Sequence, residues 1–185
     1  METSFGKTKL KTIQGDITGL STEAIVNAAN SGLMGGGGVD GAIHRAGGTA
    51  ILEECKKIIR EIGRLPTGEA VITTSGNMPS MHVIHTVGPV WHGGGQGEEQ
   101  KLKNCYTNSL KVAMENGLRT IAFPSVSTGI YGYPVELAAA AALKAVIAFL
   151  EKHPDAIDEI IFCGFDSDTE MEYAAALTAA LKENS

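Results

Sequence analysis

The stretch Ala24-Ile25-Val26-Asn27-Ala28-Ala29-Asn30-Ser31-Gly32-Leu33-Met34-Gly35-Gly36-Gly37-Gly38-Val39-Asp40 leads from an apolar run into four consecutive glycines. Ala24 to Ala29 has the length and composition of a strand buried on both faces. The glycines leave the following loop without Cβ atoms, so a ligand can approach its peptide N–H groups and φ > 0 becomes available. Asp40 to Ala46 then reads as a short helix ended by Gly47-Gly48. Its free N–H groups and dipole would face the glycine loop, an anion site built without cations. The competing reading is a mobile surface loop, because glycine by itself shows only permissiveness.

The same alternation continues in both directions. Upstream, Leu10, Ile13 and Ile17 lie in an opening strand that ends at Gly15-Asp16. Downstream, Ala50 to Ile62 carries apolar residues at helical spacing, and Glu69 to Thr74 and His82 to Val87 are β-rich. Gly93 to Gly97 is a flexible connection before a helix over Glu98 to Asn116. Thr120 to Phe123 is a short strand, and Val135 to Lys152 an alanine-rich helix begun by Pro134. Strand Glu159 to Cys163 and helix Ser167 to Lys182 close the series. This order predicts an α/β fold, a three-layer α/β/α sandwich with a central mixed, mostly parallel sheet, the first strand being the candidate for an antiparallel one. Without a linker, repeat or low-complexity tail, residues 1–185 are expected to form one domain.

Composition narrows the function. Lys+Arg number 15 against 21 Asp+Glu, a net charge of −6, with 43% apolar and 19% charged residues. That is a globular composition, neither disordered nor collagen-like. The acidic balance and few aromatics argue against general nucleic-acid binding, leaving room for a local basic patch. Cys55, Cys105 and Cys163 are too widely spaced for a zinc knuckle and odd in number for a disulfide framework. A reducing cytoplasm fits them. No apolar leader and no long apolar run is present, so neither secretion nor a membrane is expected. Glycine is the outlier, 23 of 185 residues, or about 12% against a usual share of about 7%.

In such a sheet, ligands bind beyond the carboxyl ends of the strands. The glycine loop is one such place, Ser125-Val126-Ser127-Thr128-Gly129-Ile130-Tyr131-Gly132 a second, and Gly164-Phe165-Asp166 a third. The second has small hydroxyl side chains, two glycines and no cation, so it suits another phosphate, although an ordinary β-to-α turn reads the same way. Asp40 and His44 are four apart and share a helix face. A carboxylate can orient water or take its proton, and the carboxamide of Asn30 can bond two sugar hydroxyls. Asp40 also suits an N-cap, Asn27 and Asn30 suit turns, and His44 suits a packing role beside Asp40.

Rival motifs are weaker. Gly6-Lys7-Thr8 lacks the leading glycine and strand of a P-loop, His82 and His85 would point to opposite faces of a strand, and no G-x-S-x-G occurs. Gly36 to Gly41 formally matches G-x-G-x-x-G, with Glu61 about 20 residues on. Six residues, Asn30 to Gly35, separate it from the strand, whereas a dinucleotide-binding fingerprint follows its strand directly. A nicotinamide-dependent oxidoreductase is the less favoured reading.

Gly15-Asp16-Ile17-Thr18, AIVNAAN from Ala24 to Asn30, GGGGVDGAIHRAGG from Gly35 to Gly48, IHTVGPVW from Ile84 to Trp91 and FPSVSTGIYGYP from Phe123 to Pro134 together resemble the macro domain family. These are ADP-ribose-binding α/β/α modules. The chain looks most like the MacroD-type hydrolase branch and its bacterial O-acetyl-ADP-ribose deacetylases. The resemblance covers nearly the whole chain. It departs from the commoner wording at Ser75 to Ser80 and at Gly47-Gly48, away from the implied contacts.

The resemblance implies that Asp16 accepts a hydrogen bond from adenine, with Ile17 nearby and Phe165 flanking the base or its ribose. Gly35, Gly36, Gly37, Gly38 and Val39 would hold one phosphate and the distal ribose. Ser125, Ser127, Thr128, Gly129, Ile130 and Tyr131 would hold the other, with Tyr131 against the distal ribose. Asn27 is counted with these ligand contacts. Asn30 and Asp40 match the pair assigned to catalysis, and His44 the histidine of the signature. The implied ligands are ADP-ribose, its O-acyl esters and mono-ADP-ribosylated proteins, with neither metal nor cofactor. Members that only bind often lack the Asn/Asp set, so a non-catalytic reader is the alternative. Gly37→Val is expected to abolish ADP-ribose binding.

Overall fold

Strand β3 (Ala24–Ala29) lies inside the sheet, between β5 (His82–Val87) and β6 (Thr120–Phe123), parallel to both. The computed structural model describes residues 1–185. The remaining strands are β1 (Glu2–Phe5), β2 (Thr8–Gln14), β4 (Ala70–Thr74) and β7 (Glu159–Gly164), and the sheet order is β1-β2-β7-β6-β3-β5-β4. The helices are α1 (Gly38–Gly47), α2 (Thr49–Ile62), α3 (Glu98–Glu115), α4 (Val135–Lys152) and α5 (Ser167–Glu183).

Alternation along the strands builds two cores. Val26, Ile84, Phe123 and Phe162 enter the larger one, under α3, α4 and α5; Ile25, Val83, Ala122 and Cys163 enter the smaller one, under α1 and α2. Each buried Leu, Ile or Phe stabilises the fold by about 1.5–3 kcal/mol relative to leaving it in water. A strand covered on both faces has no polar positions to spare, which is why β3 reads as a continuous apolar run. Asn27, 0% exposed in the middle of that strand, is the exception.

The expected α/β/α sandwich is present, with two differences at its edges. The Leu10 strand is parallel, pairing with β7 from Lys9↔Glu159 to Gln14↔Gly164. The antiparallel strand at that edge is β1, whose Glu-Thr-Ser-Phe is too polar to read as a strand and which pairs only with β2. At the other edge β4 runs antiparallel to β5. Ile17 belongs not to the first strand but to a short 3-10 turn, Ile17–Gly19. The Asp16 side chain starts that turn by accepting from the Thr18 N–H at 3.0 Å. No helix is long and apolar enough to cross a membrane.

The parallel strands β2, β7, β6, β3 and β5 all end at the same edge of the sheet. Each of their following loops, at Asp16, Phe165, Ser125, Asn30 and Gly88, contributes to one cleft of about 950 Å³. A smaller groove of about 530 Å³, between Leu65, Val71 and Asn108, receives none of those loops.

Candidate functional site

The glycine loop and the start of α1 form one wall of the cleft. Gly37 is the N-cap, so Asp40 lies inside the first turn and does not cap the helix. None of the N–H groups from Gly35 to Asp40 has a backbone acceptor. Part of this follows from helix geometry, in which the first turn has no intrahelical acceptors. The opposite wall is the loop after β6, where the N–H groups from Ser127 to Tyr131 also have no backbone acceptor. Ser127 holds a left-handed φ of 68°, a conformation that costs a non-glycine residue of order 1–3 kcal/mol. Two strings of free donors therefore line one cleft, an arrangement suited to a diphosphate.

Asp40 is 5% exposed and its two oxygens face different ways. Oδ1 accepts a hydrogen bond from Asn27 Nδ2 at 2.8 Å. Oδ2 is turned toward the glycine loop, since a Cβ built on Gly36 would stand 3.1 Å from it and 3.4 Å from Asn30 Nδ2. Asn30 Nδ2 itself donates to the Gly35 carbonyl at 3.0 Å, which sets the carboxamide plane at the cleft edge. Carboxylate and carboxamide thus meet over one glycine, where they can hold a water and a sugar hydroxyl side by side.

His44 stands behind this pair. Its Nε2 is 3.5 Å from Asp40 Oδ1 and is not aligned as a hydrogen bond. It does not line the cleft, and neither do Asn27 or Gly35; Asn30, Gly36, Gly37, Gly38, Val39 and Asp40 do. Asn27 is part of the support beneath Asp40, out of reach of a ligand.

At the far end of the cleft, Asp16 Oδ1 accepts from both the backbone N–H and the hydroxyl of Thr18, at 3.0 and 2.7 Å. Those bonds hold its pKa below the ordinary carboxylate value and leave Oδ2 for a ligand. Ile17 lines the cleft beside it, and Phe165, 85% exposed, stands at the mouth. Ser125, Ser127, Thr128, Gly129, Ile130 and Tyr131 all line the opposite wall. The hydroxyls of Ser125 and Thr128 bond to each other at 2.7 Å, so they shape this loop from within.

The sequence reading missed Arg45, the one Lys or Arg lining the cleft, which comes from α1 and not from either loop. Its spacing from Ala42, three residues, was the available signal. It also missed Gly88, after β5, and Thr169, on α5, which only the sheet order brings to the cleft. A Cβ on Gly37 would meet no atom of the protein within 4 Å and Gly37 lines the cleft, so a side chain there enters the ligand's space without a clash inside the fold. Gly36, Gly41 and Gly88 are crowded, a Cβ on Gly88 falling 2.8 Å from a Val126 methyl and closer still to Ser127 Oγ. A Cβ on Gly41 would stand 2.5 Å from the Gly36 carbonyl, so the loop can lie on α1 only where that side chain is absent.

A cleft at the carboxyl ends of a mixed sheet, lined by free N–H groups and holding one carboxylate beside one carboxamide, defines an anion-binding α/β/α module with a reactive end. Residues 26–142 match the family model described as Macro domain, and the chain belongs to the macro domain family. It is 52% identical over 172 residues to the O-acetyl-ADP-ribose deacetylase of Escherichia fergusonii, covering 93% of this chain and 97% of that protein. It is 57% identical over 168 residues to a macro domain-containing protein of Chlorobaculum tepidum, covering 90% and 94%. The Oceanobacillus iheyensis macrodomain with ADP superposes with a TM-score of 0.94 at 40% identity, covering 99% of this chain and 97% of that one. The G37V mutant of that macrodomain, with ADPR, gives 0.93 at 40% identity, covering 98% of each chain.

Proposed function

We propose that residues 1–185 act as a single macro domain that binds ADP-ribose and hydrolyses acyl esters of its distal ribose. The reading rests above all on the two strings of free N–H groups facing each other across a cleft whose closed end holds Asn30 and Asp40. The relatives named O-acetyl-ADP-ribose deacetylase support the same chemistry. Adenine lies against Asp16, Ile17 and Phe165, the diphosphate spans the two loops, and the distal ribose reaches Asn30 and Tyr131.

A water held by Asp40 Oδ2 adds to the acyl carbonyl carbon. The bond from that carbon to the ribose oxygen breaks, and the proton given up by the water ends on the ribose oxygen, releasing carboxylate and ADP-ribose. The proton passes through Asp40 or through a substrate phosphate; in the second case Asp40 acts by orienting the water. When the acyl group is a protein Asp or Glu, attack at the carbonyl or at the anomeric carbon frees the protein from mono-ADP-ribose. Buried free thiols at Cys55, Cys105 and Cys163 suit work in the cytoplasm.

The alternative is a reader that binds ADP-ribose without turnover, since it would use the same N–H groups. The deciding experiment pairs an ADP-ribose binding measurement with turnover of O-acetyl-ADP-ribose and of a protein carrying ADP-ribose on a carboxylate. Binding with turnover of either ester is expected; binding with no turnover of both leaves the reader. NADH binding tighter than ADP-ribose would favour an oxidoreductase instead.

A further inference from the structure

Asn27 and His85 face each other across neighbouring strands, paired in register between β3 and β5. Both are wholly buried, and neither lines the cleft. Asn27 Nδ2 lies 2.8 Å from Asp40 Oδ1 and 3.1 Å from His85 Nδ1, and its two hydrogens serve both. The other ring nitrogen, His85 Nε2, is 2.9 Å from the Thr73 hydroxyl on β4. That hydroxyl donates its own hydrogen to the Thr74 carbonyl at 2.9 Å. Asn27 Nδ2 can only donate, and the Asp40 carboxylate holds it on that side, so His85 Nδ1 must be bare to accept its second hydrogen; the proton of the neutral ring is then on Nε2 and goes to the Thr73 hydroxyl, with the Cys55 sulfur 3.9 Å away.

That tautomer and the orientation of Asn27 hold each other in place. With Nδ1 bare, the amide nitrogen turns toward both His85 and Asp40. With Nδ1 protonated, the carboxamide oxygen would turn toward the ring, and the carboxylate would lose its donor or meet an oxygen. Asn27 Oδ1 has no partner where it lies, so the amide is held from its nitrogen side alone. Burial keeps His85 neutral, with its pKa pushed down to about 3 and His44 adding to the effect.

We infer that His85 is a positioning residue for Asp40, acting through Asn27: the chain Thr73, His85, Asn27 fixes Oδ1 and so aims Oδ2 at the cleft. The inference rests on the hydrolase reading above, and it names three residues that never touch substrate. It also explains a polar residue in the central strand, where an unpaired amide would be costly.

The test compares His85→Phe, His85→Gln and Thr73→Val with the wild-type protein, measuring kcat and KM on O-acetyl-ADP-ribose and ADP-ribose affinity in parallel. His85→Phe fills the site but accepts nothing, so kcat should fall about tenfold to a hundredfold with KM and ADP-ribose affinity near wild type. Gln can accept from Asn27 and donate to Thr73, so His85→Gln should recover part of the loss. A packing role alone predicts the reverse order, because Phe preserves the apolar volume and Gln does not. Thr73→Val removes the hydroxyl that takes the Nε2 proton and should lower kcat even if the His85 variants fail to fold. In the wild-type protein, nitrogen NMR of the His85 ring at neutral pH should place its proton on Nε2. A proton on Nδ1, wild-type kcat in both His85→Phe and Thr73→Val, or Gln worse than Phe would overturn the inference. A wild-type protein that binds ADP-ribose but turns over no ester would remove the hydrolase reading and this role with it. A wild-type enzyme whose variants keep its kcat would remove the role alone.

Discussion

Asp40 Oδ2 and Asn30 Nδ2 converge on the Cα of Gly36, where an added methyl would stand 3.1 Å from the first and 3.4 Å from the second. One oxygen and one amide nitrogen, brought from a helix and from a strand end, thus share the space that only a hydrogen atom leaves open. The Gly36→Ala variant should fold, because the loop is exposed, and its kcat should fall about tenfold or more as the pair is pushed apart. Steady-state kinetics beside a thermal melt reads this directly; unchanged kcat would mean that the pair does not act as a unit.

Asp40→Ala removes both the carboxylate that faces the cleft and the acceptor for Asn27. Turnover should drop by about two or more orders of magnitude while ADP-ribose still binds, since the N–H groups that hold the diphosphate stay in place. Calorimetric binding together with ester hydrolysis separates these effects. Turnover at the wild-type rate would end the catalytic assignment.

Asp16 uses Oδ1 to start the 3-10 turn and presents Oδ2 to the cleft. Asp16→Ala should weaken ADP-ribose binding about tenfold or more, the loss of one hydrogen bond to a charged group. Affinity for ribose phosphate, which has no base, should not move. If ADP-ribose and ribose phosphate bind the wild-type protein equally, there is no adenine site at Asp16.

These sites differ in how far the sequence reveals them. The strand, the glycine loop and the α1 helix are local, and the order of residues from Ala24 to Gly47 carries their geometry almost unchanged. Asn30 and Asp40 were legible for the same reason. His85, 58 residues from Asn27, was not, because only the β3–β5 register sets one opposite the other. β1 was hidden by its polar composition, since an edge strand of four residues pairs through its backbone and shows little apolar pattern. Glu98 offered the ordinary signature of an acidic helix start and gave no hint that its carboxylate would be buried.

That carboxylate, 1% exposed, accepts from the backbone N–H groups of His92, Gly94 and Gln96 at 2.9, 3.0 and 2.6 Å. Burial pushes its pKa up, but the N–H groups outweigh this and hold it down at about 2, against an ordinary 4.5. A folded-state value below the unfolded one means that the group stabilises the fold fully above about pH 4.5 and loses that contribution as pH falls toward about 2. Glu98→Gln should therefore lower Tm at pH 7, and its gap to wild type should narrow steadily below pH 4.5. Melting curves across that range check it; a gap independent of pH would show that the charge is not what closes the loop.

The second wall of the cleft hangs on a chain of hydroxyls that reaches the core. The Tyr106 hydroxyl lies 3.4 Å from the Pro124 carbonyl and 3.2 Å from the Tyr173 hydroxyl. The Tyr173 hydroxyl is 3.0 Å from that of Ser125, and the Thr128 hydroxyl lies 2.7 Å from Ser125 Oγ and 3.1 Å from the Ser125 carbonyl. Tyr173→Phe breaks the chain in the middle and takes one partner each from the Tyr106 and Ser125 hydroxyls, which should destabilise the fold by about 1 kcal/mol. The loop from Ser125 to Thr128 then loses its anchor, so ADP affinity should fall along with Tm, although Tyr173 does not itself line the cleft. A variant with lowered Tm but wild-type ADP affinity would mean that the loop keeps its shape without the chain.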